Sequence, residues 1–173
     1  LLEAFAGGLV APSANQFTHV SPTNAEAVTE ELAGSVDLVL DGGECRVGVE
    51  STIVDMTSEI PRVLRPGMIT VDQIEQVLGQ KVLRLQPKSD MRVPGQHLVH
   101  YAPRTKTIVV AQHKLPQVQG NVAFMVLSDF ISTNKLVKMP ASPEEYAHVL
   151  YRVLRQLDKL GFDKIVVEAV PDG

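Results

Sequence analysis

The sequence predicts an α/β protein of two units joined by a proline-rich stretch, and three observations predict it. Strand-like and helix-like segments alternate along the 173 residues without an internal repeat, the pattern of helices packed on a partly parallel sheet. Helix starts with capping residues recur at Thr23, Thr70 and Ser142, where a side-chain oxygen can accept from an orphan backbone N–H. Between residues 86 and 105 the run QPKSDMRVPGQHLVHYAPRT carries three prolines and no sustained period, too long for an ordinary connection inside one domain. The expected division is a first unit over 1–85, a linker over 86–104 and a second unit over 105–173.

LLEAFAGGL reads as the last turn of a helix and its glycine stop. Residues 9–11 form a short apolar step into Pro12-Ser13-Ala14-Asn15. Thr23 with Glu26 makes a capping box for a helix to about Ala33, with Gly34 as its stop. Val36 to Leu40 reads as a strand bounded by the turn Asp41-Gly42-Gly43. Ser51 to Met56 and Arg62 to Leu64 are two more strands, followed by the turn Pro66-Gly67. Thr70 with Gln73 is a second capping box, for a helix running to Leu78 with Gly79 after it. Beyond the linker, Thr107 to Ala111 and Val122 to Leu127 read as strands. Ser142-Pro143-Glu144-Glu145 combines a cap, a first-position proline and first-turn acids. Tyr146, Leu150, Val153, Leu154, Leu157 and Leu160 then follow helical spacing. Gly161 ends that helix, and Lys164 to Val170 is a strand. KIVVEAVPDG closes the sequence as a strand entering a turn. Neither end reads as a natural terminus, so a piece of a longer protein is expected.

Composition narrows the function classes. Hydrophobic residues make up 45% and charged residues 21%, the balance of a globular rather than a disordered chain. No apolar run in the sequence approaches the roughly 18 residues a membrane span needs, and no Arg/Lys-led apolar leader opens it. A net charge of −4 is no nucleic-acid footprint. Aromatic residues at 5%, with no Trp, do not make a base-stacking platform. The single Cys45 excludes an internal disulfide framework and a Cys-rich zinc site. A reducing cytoplasm and no membrane association are the expectation.

Several short motifs combine residue types suited to anions. Ser13 and Asn15 follow a strand-like step, where hydroxyl and amide groups can donate to phosphate or carboxylate oxygens; the same residues are common turn formers. Ser21 precedes Pro22-Thr23 at a helix start, itself an anion-favouring position. Glu50-Ser51-Thr52 follows a loop from Gly42 to Gly48 that lacks the Gly-Lys-Ser/Thr ending of a phosphate-binding P-loop. Arg65 in Leu-Arg-Pro-Gly suits bidentate anion binding or a surface ion pair. His97 and His100 with Tyr101 lie on the linker, with no third metal ligand evident. No metal site is expected. Together these residues read as an anion-binding α/β protein without naming its substrate.

The order of the motifs is more specific than any one of them. LLEAFAGGLVAPSAN, HVSPTNAEAV, VDLVLDGG, GVESTIVD, VLRPGMIT and VPGQHLVHYAP together resemble the YrdC-like family, in its long, two-domain threonylcarbamoyl-AMP synthase type. The resemblance implies the C-terminal half of a twisted α/β catalytic domain, a linker, and a truncated Rossmann-like accessory domain. It implies an enzyme that joins L-threonine, bicarbonate and ATP into threonylcarbamoyl-adenylate, releasing pyrophosphate, for tRNA modification. Ser13, Asn15, Ser21, Arg65 and Tyr101 would serve ATP. Ala11, Ser51 and Thr52 would serve threonine. His97 and His100 would lie on a lid over the cavity, and Mg²⁺ would accompany ATP. Partner proteins of tRNA modification are implied, and binding of double-stranded RNA or tRNA is left open.

Departures from the family pattern set a further expectation. The family's Lys-x-Arg stretch is absent, Asn15-Gln16-Phe17-Thr18 stands where Asn-Arg-Ser/Phe-Gly is usual, and Pro94-Gly95-Gln96 replaces Pro-Gly-Met. The chain is therefore expected to be inactive alone. The alternative is a nucleotide- or RNA-binding module of the same family without synthase activity.

Overall fold

A computed structural model describes residues 1–84 and 100–171. The first part carries the short helices α1 (Leu2–Phe5) and α2 (Ala25–Leu32), strands β1 (Ile53–Asp55) and β2 (Arg62–Arg65), helix α3 (Val71–Leu78) and strand β3 (Leu83–Arg84). β1 and β2 pair antiparallel, and β3 joins β2 in parallel. The register shifts between Ile53 and Val54, which sets Arg65 opposite Ile53 at the end of the ladder. Such irregularities re-aim side chains at sheet edges.

The second part is a four-stranded sheet made of β4 (Thr107–Val110), β5 (Val122–Val126), β6 (Lys135–Lys138) and β7 (Lys164–Glu168), with helix α4 (Pro143–Asp158) packed on it. The order is β4-β7-β5-β6 and every pairing is parallel. All five residues of β5 are buried, as a central strand covered on both faces should be. Ala123 and Met125 face α4 with Leu154, Leu157 and Ile165. Val122, Phe124 and Val126 face the opposite cluster with Leu115 and Val166. Val20, from the first part, joins the α4-side cluster, so the two parts share apolar contact. No helix among the described residues is long and apolar enough to cross a membrane.

The capping reading holds for α3: Thr70 accepts from Gln73 N–H, and the Gln73 side chain accepts from Thr70 N–H. Ser142 caps α4 by accepting from Glu145 N–H. Elsewhere the structure corrects the sequence. Asn24, not Thr23, caps α2, accepting from Ala27 N–H; Thr23 is buried and its carbonyl accepts from Cys45 N–H. The left-handed stop after α1 is Ala6 rather than a glycine. Val36 to Leu40 forms no strand. A strand needs a ladder partner, none among the described residues pairs with this segment, and Leu38 and Leu40 stand exposed. β6 and β3 were not legible from the sequence pattern. Most of the linker, including His97, lies outside the described residues.

Candidate functional site

Arg65 is the hub of a polar cluster at the end of β2. Its Nε donates to the Ser51 carbonyl (3.0 Å), one terminal nitrogen donates to Ser51 Oγ (3.0 Å), and the other donates to Tyr101 Oη (2.7 Å). That last nitrogen also lies 3.6 Å from Glu50 Oε2. Glu50 in turn accepts from Ser21 Oγ (2.6 Å), which also reaches Asn15 Oδ1 (3.3 Å). A planar guanidinium uses its fork of donors in this way to fix several oxygens at once. The Arg65 and Glu50 side chains are 14% and 15% exposed, so their charges are sheltered from full solvent screening.

Local structure brings these groups together. Gly67 follows β2 so closely against the neighbouring chain that a Cβ there would sit 2.4 Å from Thr52 N; only glycine permits that approach. Asn15 donates to the carbonyls of Gln16 and His19, closing the corner that leads to Ser21. Tyr101 arrives from the far side of the linker, with its ring stacked on Tyr151 of α4 at 6.3 Å and the Arg65 guanidinium carbon 5.9 Å from its centroid. Burial raises the Tyr101 phenol above its ordinary range, the Glu50 charge adds to this, and Arg65 opposes only in part. Tyr101 therefore stays protonated and neutral at ordinary pH.

Five sequence-predicted residues thus join one cluster, two hydrogen-bonded groups linked by the Arg65–Glu50 ion pair: Asn15, Ser21, Ser51, Arg65 and Tyr101. Three do not. Ala11 and Ser13 are exposed and stand outside it, and the Thr52 hydroxyl donates to the Ile69 carbonyl. His100 is half-buried beside the site, its ring 4.0 Å from that of Tyr101 and 5.8 Å from that of Phe17. Glu50 is the member that sequence reading left without a role; its place beside Ser51, after the glycine-bearing loop, was the available signal. Chemically, the set offers one cation and one anion a few ångströms apart, ringed by hydroxyls. That is the complement of a zwitterion, with donors for a carboxylate and an acceptor for an ammonium.

α4 supports this cluster from behind. His148 Nδ1 meets the Arg46 carbonyl at 2.9 Å, and Arg152 pairs with Glu44. A Cβ on Gly48 would lie 2.0 Å from the His148 carbonyl oxygen, so the loop leading to Glu50 lies directly on the helix backbone. The Asp158 carboxylate accepts from the N–H groups of Arg104 and Thr105. Burial pushes its carboxyl pKa up, but those bonds more than offset this and hold it below the ordinary carboxylate value.

Comparison with known proteins decides the family. Residues 69–173 match the model for the C-terminal domain of threonylcarbamoyl-AMP synthase. The chain belongs to the threonylcarbamoyl-AMP synthase family. Residues 1–67 match a second model, described as telomere recombination. Similar curated relatives are threonylcarbamoyl-AMP synthases of Pyrococcus abyssi (32% identity, 99% of this chain and 55% of that protein) and Bacillus subtilis (35%, 95% and 52%). A crystal structure of P. abyssi Sua5 complexed with L-threonine superposes with a TM-score of 0.83 at 32% identity, over 98% of this chain and 55% of that one. A second, of H234A/Y235A P. abyssi Sua5, gives a TM-score of 0.80 at 30% identity, over 98% and 54%. The chain spans about half the length of these relatives. The α/β class expected from the sequence is the fold the family shares with this chain.

Proposed function

We propose that this chain forms the amino-acid-binding part of an L-threonylcarbamoyladenylate synthase. The reaction joins L-threonine, bicarbonate and ATP, releases pyrophosphate, and supplies the threonylcarbamoyl group for tRNA modification. The observation that carries this reading is the Arg65–Glu50 cluster with its hydroxyl ring. The relatives' names and the threonine complex of a similar chain support it.

In this reading Arg65, expected from the sequence to serve ATP, instead joins Ser51 in holding the threonine carboxylate, because both of its bonds to Ser51 turn it to that side, and Glu50 faces the ammonium. The amine sheds a proton as it combines with bicarbonate to give the carbamate and water. Glu50 is then the nearest carboxylate able to receive that proton. The carbamate attacks the α-phosphate of ATP and displaces pyrophosphate. Positioning and charge stabilisation carry such a step, and exclusion of water protects the carbamate. Asn15 and Ser21, with Ser13, line the nucleotide side, while Ala11 and Thr52 border the threonine side. His100 stands beside the cluster, and the division at 86–104 is read as separating a catalytic unit from an accessory one. One guanidinium beside one carboxylate does not balance a triphosphate. Mg²⁺ carried by the phosphates would supply further positive charge. A cytoplasmic setting, with partner proteins of tRNA modification, belongs to the same reading.

Calorimetric titration with L-threonine, with and without ATP and Mg²⁺, tests it beside Arg65→Ala. Threonine binding that weakens at least about tenfold in the variant is expected, since a charged hydrogen-bond pair is worth that much. Heat that is absent in the wild type, or unchanged in Arg65→Ala, overturns the reading.

A further inference from the structure

A buried ion pair ties α4 to the corner of chain that carries Tyr101 to Arg65. Glu31, on α2, accepts from Gln16 N–H at 3.1 Å, and the same oxygen lies 2.7 Å from His19 Nδ1. Its other oxygen accepts from Arg155 at 2.8 Å. Arg155 also donates to the carbonyls of Val20 (3.0 Å) and Ala27 (3.3 Å). Only 5% of the Glu31 side chain and 14% of that of Arg155 is exposed. The neighbouring pairs, Arg152–Glu44 on the same helix and Lys159–Glu30 at its C-cap, stand much further into solvent, where screening weakens them.

What the buried pair holds is strained backbone. Thr18 has φ 72° and Tyr101 has φ 51°, the left-handed region that non-glycine residues avoid and β-branched residues most of all. The two meet at one place: His19 pairs with Ala102 in an isolated parallel bridge, closed by Ala102 N–H donating to the Thr18 carbonyl at 2.9 Å. Among the described residues no regular ladder fixes this corner. Its polar groups are fixed instead by Asn15, which donates to the Gln16 and His19 carbonyls, by Glu31, through Gln16 and His19, and by Arg155, through the Val20 carbonyl. Strain of this kind persists only where the surroundings over-determine it.

We propose that Arg155 and Glu31 are positioning residues for the binding cluster: they fix the Thr18–His19 corner and, through the bridge to Ala102, set Tyr101 against Arg65. The site's geometry is then imposed from α4, although α4 contributes no side chain to the Arg65 hydrogen bonds described above. The proposal rests on reading that cluster as the amino-acid site. Without the guanidinium, the buried Glu31 carboxylate loses its cation and the corner loses the bond to Val20. The strained residues then relax and the Tyr101 hydroxyl leaves Arg65.

The chain has three tyrosines, so tyrosine-selective isotope labelling resolves them by NMR, with Tyr101→Phe assigning the signal. Arg155→Met and the near-isosteric Glu31→Gln are expected to displace the Tyr101 signal while that of Tyr146 stays in place. They are also expected to weaken L-threonine binding about tenfold, within the usual range of coupling between sites. Arg155→Lys, which keeps the charge, is expected to restore part of both effects. Lys159→Met, which removes the exposed pair at the C-cap of the same helix, is expected to change neither. A Tyr101 signal that does not move in folded Glu31→Gln overturns the proposal, whatever happens to Arg155→Met. If wild-type protein binds no L-threonine, the amino-acid reading fails, and the Tyr101 signal still decides whether the pair positions it.

Discussion

The four-stranded sheet and the chain before residue 50 are held by different means. In the sheet, β5 is paired on both sides and buried on both faces, so backbone ladders and apolar packing fix every residue. Before residue 50 there are two short helices and no strand, and Leu2, Phe5, Val10, Leu38 and Leu40 are exposed. There the chain is fixed by side chains bonding to backbone, such as Asn15 to His19 and Glu31 to Gln16, and by contact with α4. Magnitudes separate those contacts. Exposed ion pairs like Lys159–Glu30 contribute about 0–1 kcal/mol, whereas removing one partner of a buried pair like Arg155–Glu31 costs about 3–5 kcal/mol. The region that carries Asn15 and Ser21 of the candidate site therefore borrows its order from the region that has a core.

The largest effect should therefore come from the sheet. Phe124→Ala empties a fully buried position packed edge-on against Phe130 at 5.1 Å. It should lower stability by about 3–5 kcal/mol, read from denaturant unfolding, and displace the signals of both regions together. Gly48→Ala, whose Cβ meets a helix carbonyl, should cost about 1–3 kcal/mol as overpacking, less than emptying the sheet core. Unlike Phe124→Ala, it should act on the Glu50–Ser51 loop first. Threonine affinity in Gly48→Ala should therefore fall at temperatures where β5 remains fully folded.

The smallest effect is set by pH. Burial pushes the Glu31 carboxyl up, but hydrogen bonds from Arg155, His19 and the Gln16 N–H more than offset this and hold it below its ordinary value of 4.5. A carboxyl lowered on folding stabilises fully above its ordinary value, and that contribution is lost as pH falls through the lowered one. Unfolding free energy measured from pH 7 downward should start to drop below about pH 4.5, and Glu31→Gln should drop less steeply over the same window.

How much was legible follows the same division. The caps at Thr70 and Ser142, the strands of residues 107–111 and 122–127, and the apolar spacing of α4 are local signals, and the structure carries them. Lys135-Leu136-Val137-Lys138 has two apolar residues in four and becomes a strand only because β5 offers it a parallel edge. Val36 to Leu40 has four apolar residues in five but no partner among the described residues, so propensity alone misleads there. At the site, Asn15, Ser21, Ser51, Arg65 and Tyr101 were legible through motif order. The role of Glu50 was not, because it depends on Ser21, 29 residues earlier. The Glu31–Arg155 pair spans 124 residues, and a lone Glu and a lone Arg on two helix faces read as solvated surface.

The most direct test is hydrogen exchange in wild type and Arg155→Met, compared amide by amide. β5 amides should exchange only through global unfolding, whereas the amides of Gln16, His19 and Ala102 open locally. Arg155→Met is expected to lower the opening free energy of those three by more than it lowers that of β5. Equal loss of protection in both regions, or unchanged protection at Gln16, His19 and Ala102, would contradict the claim that α4 holds the site in place.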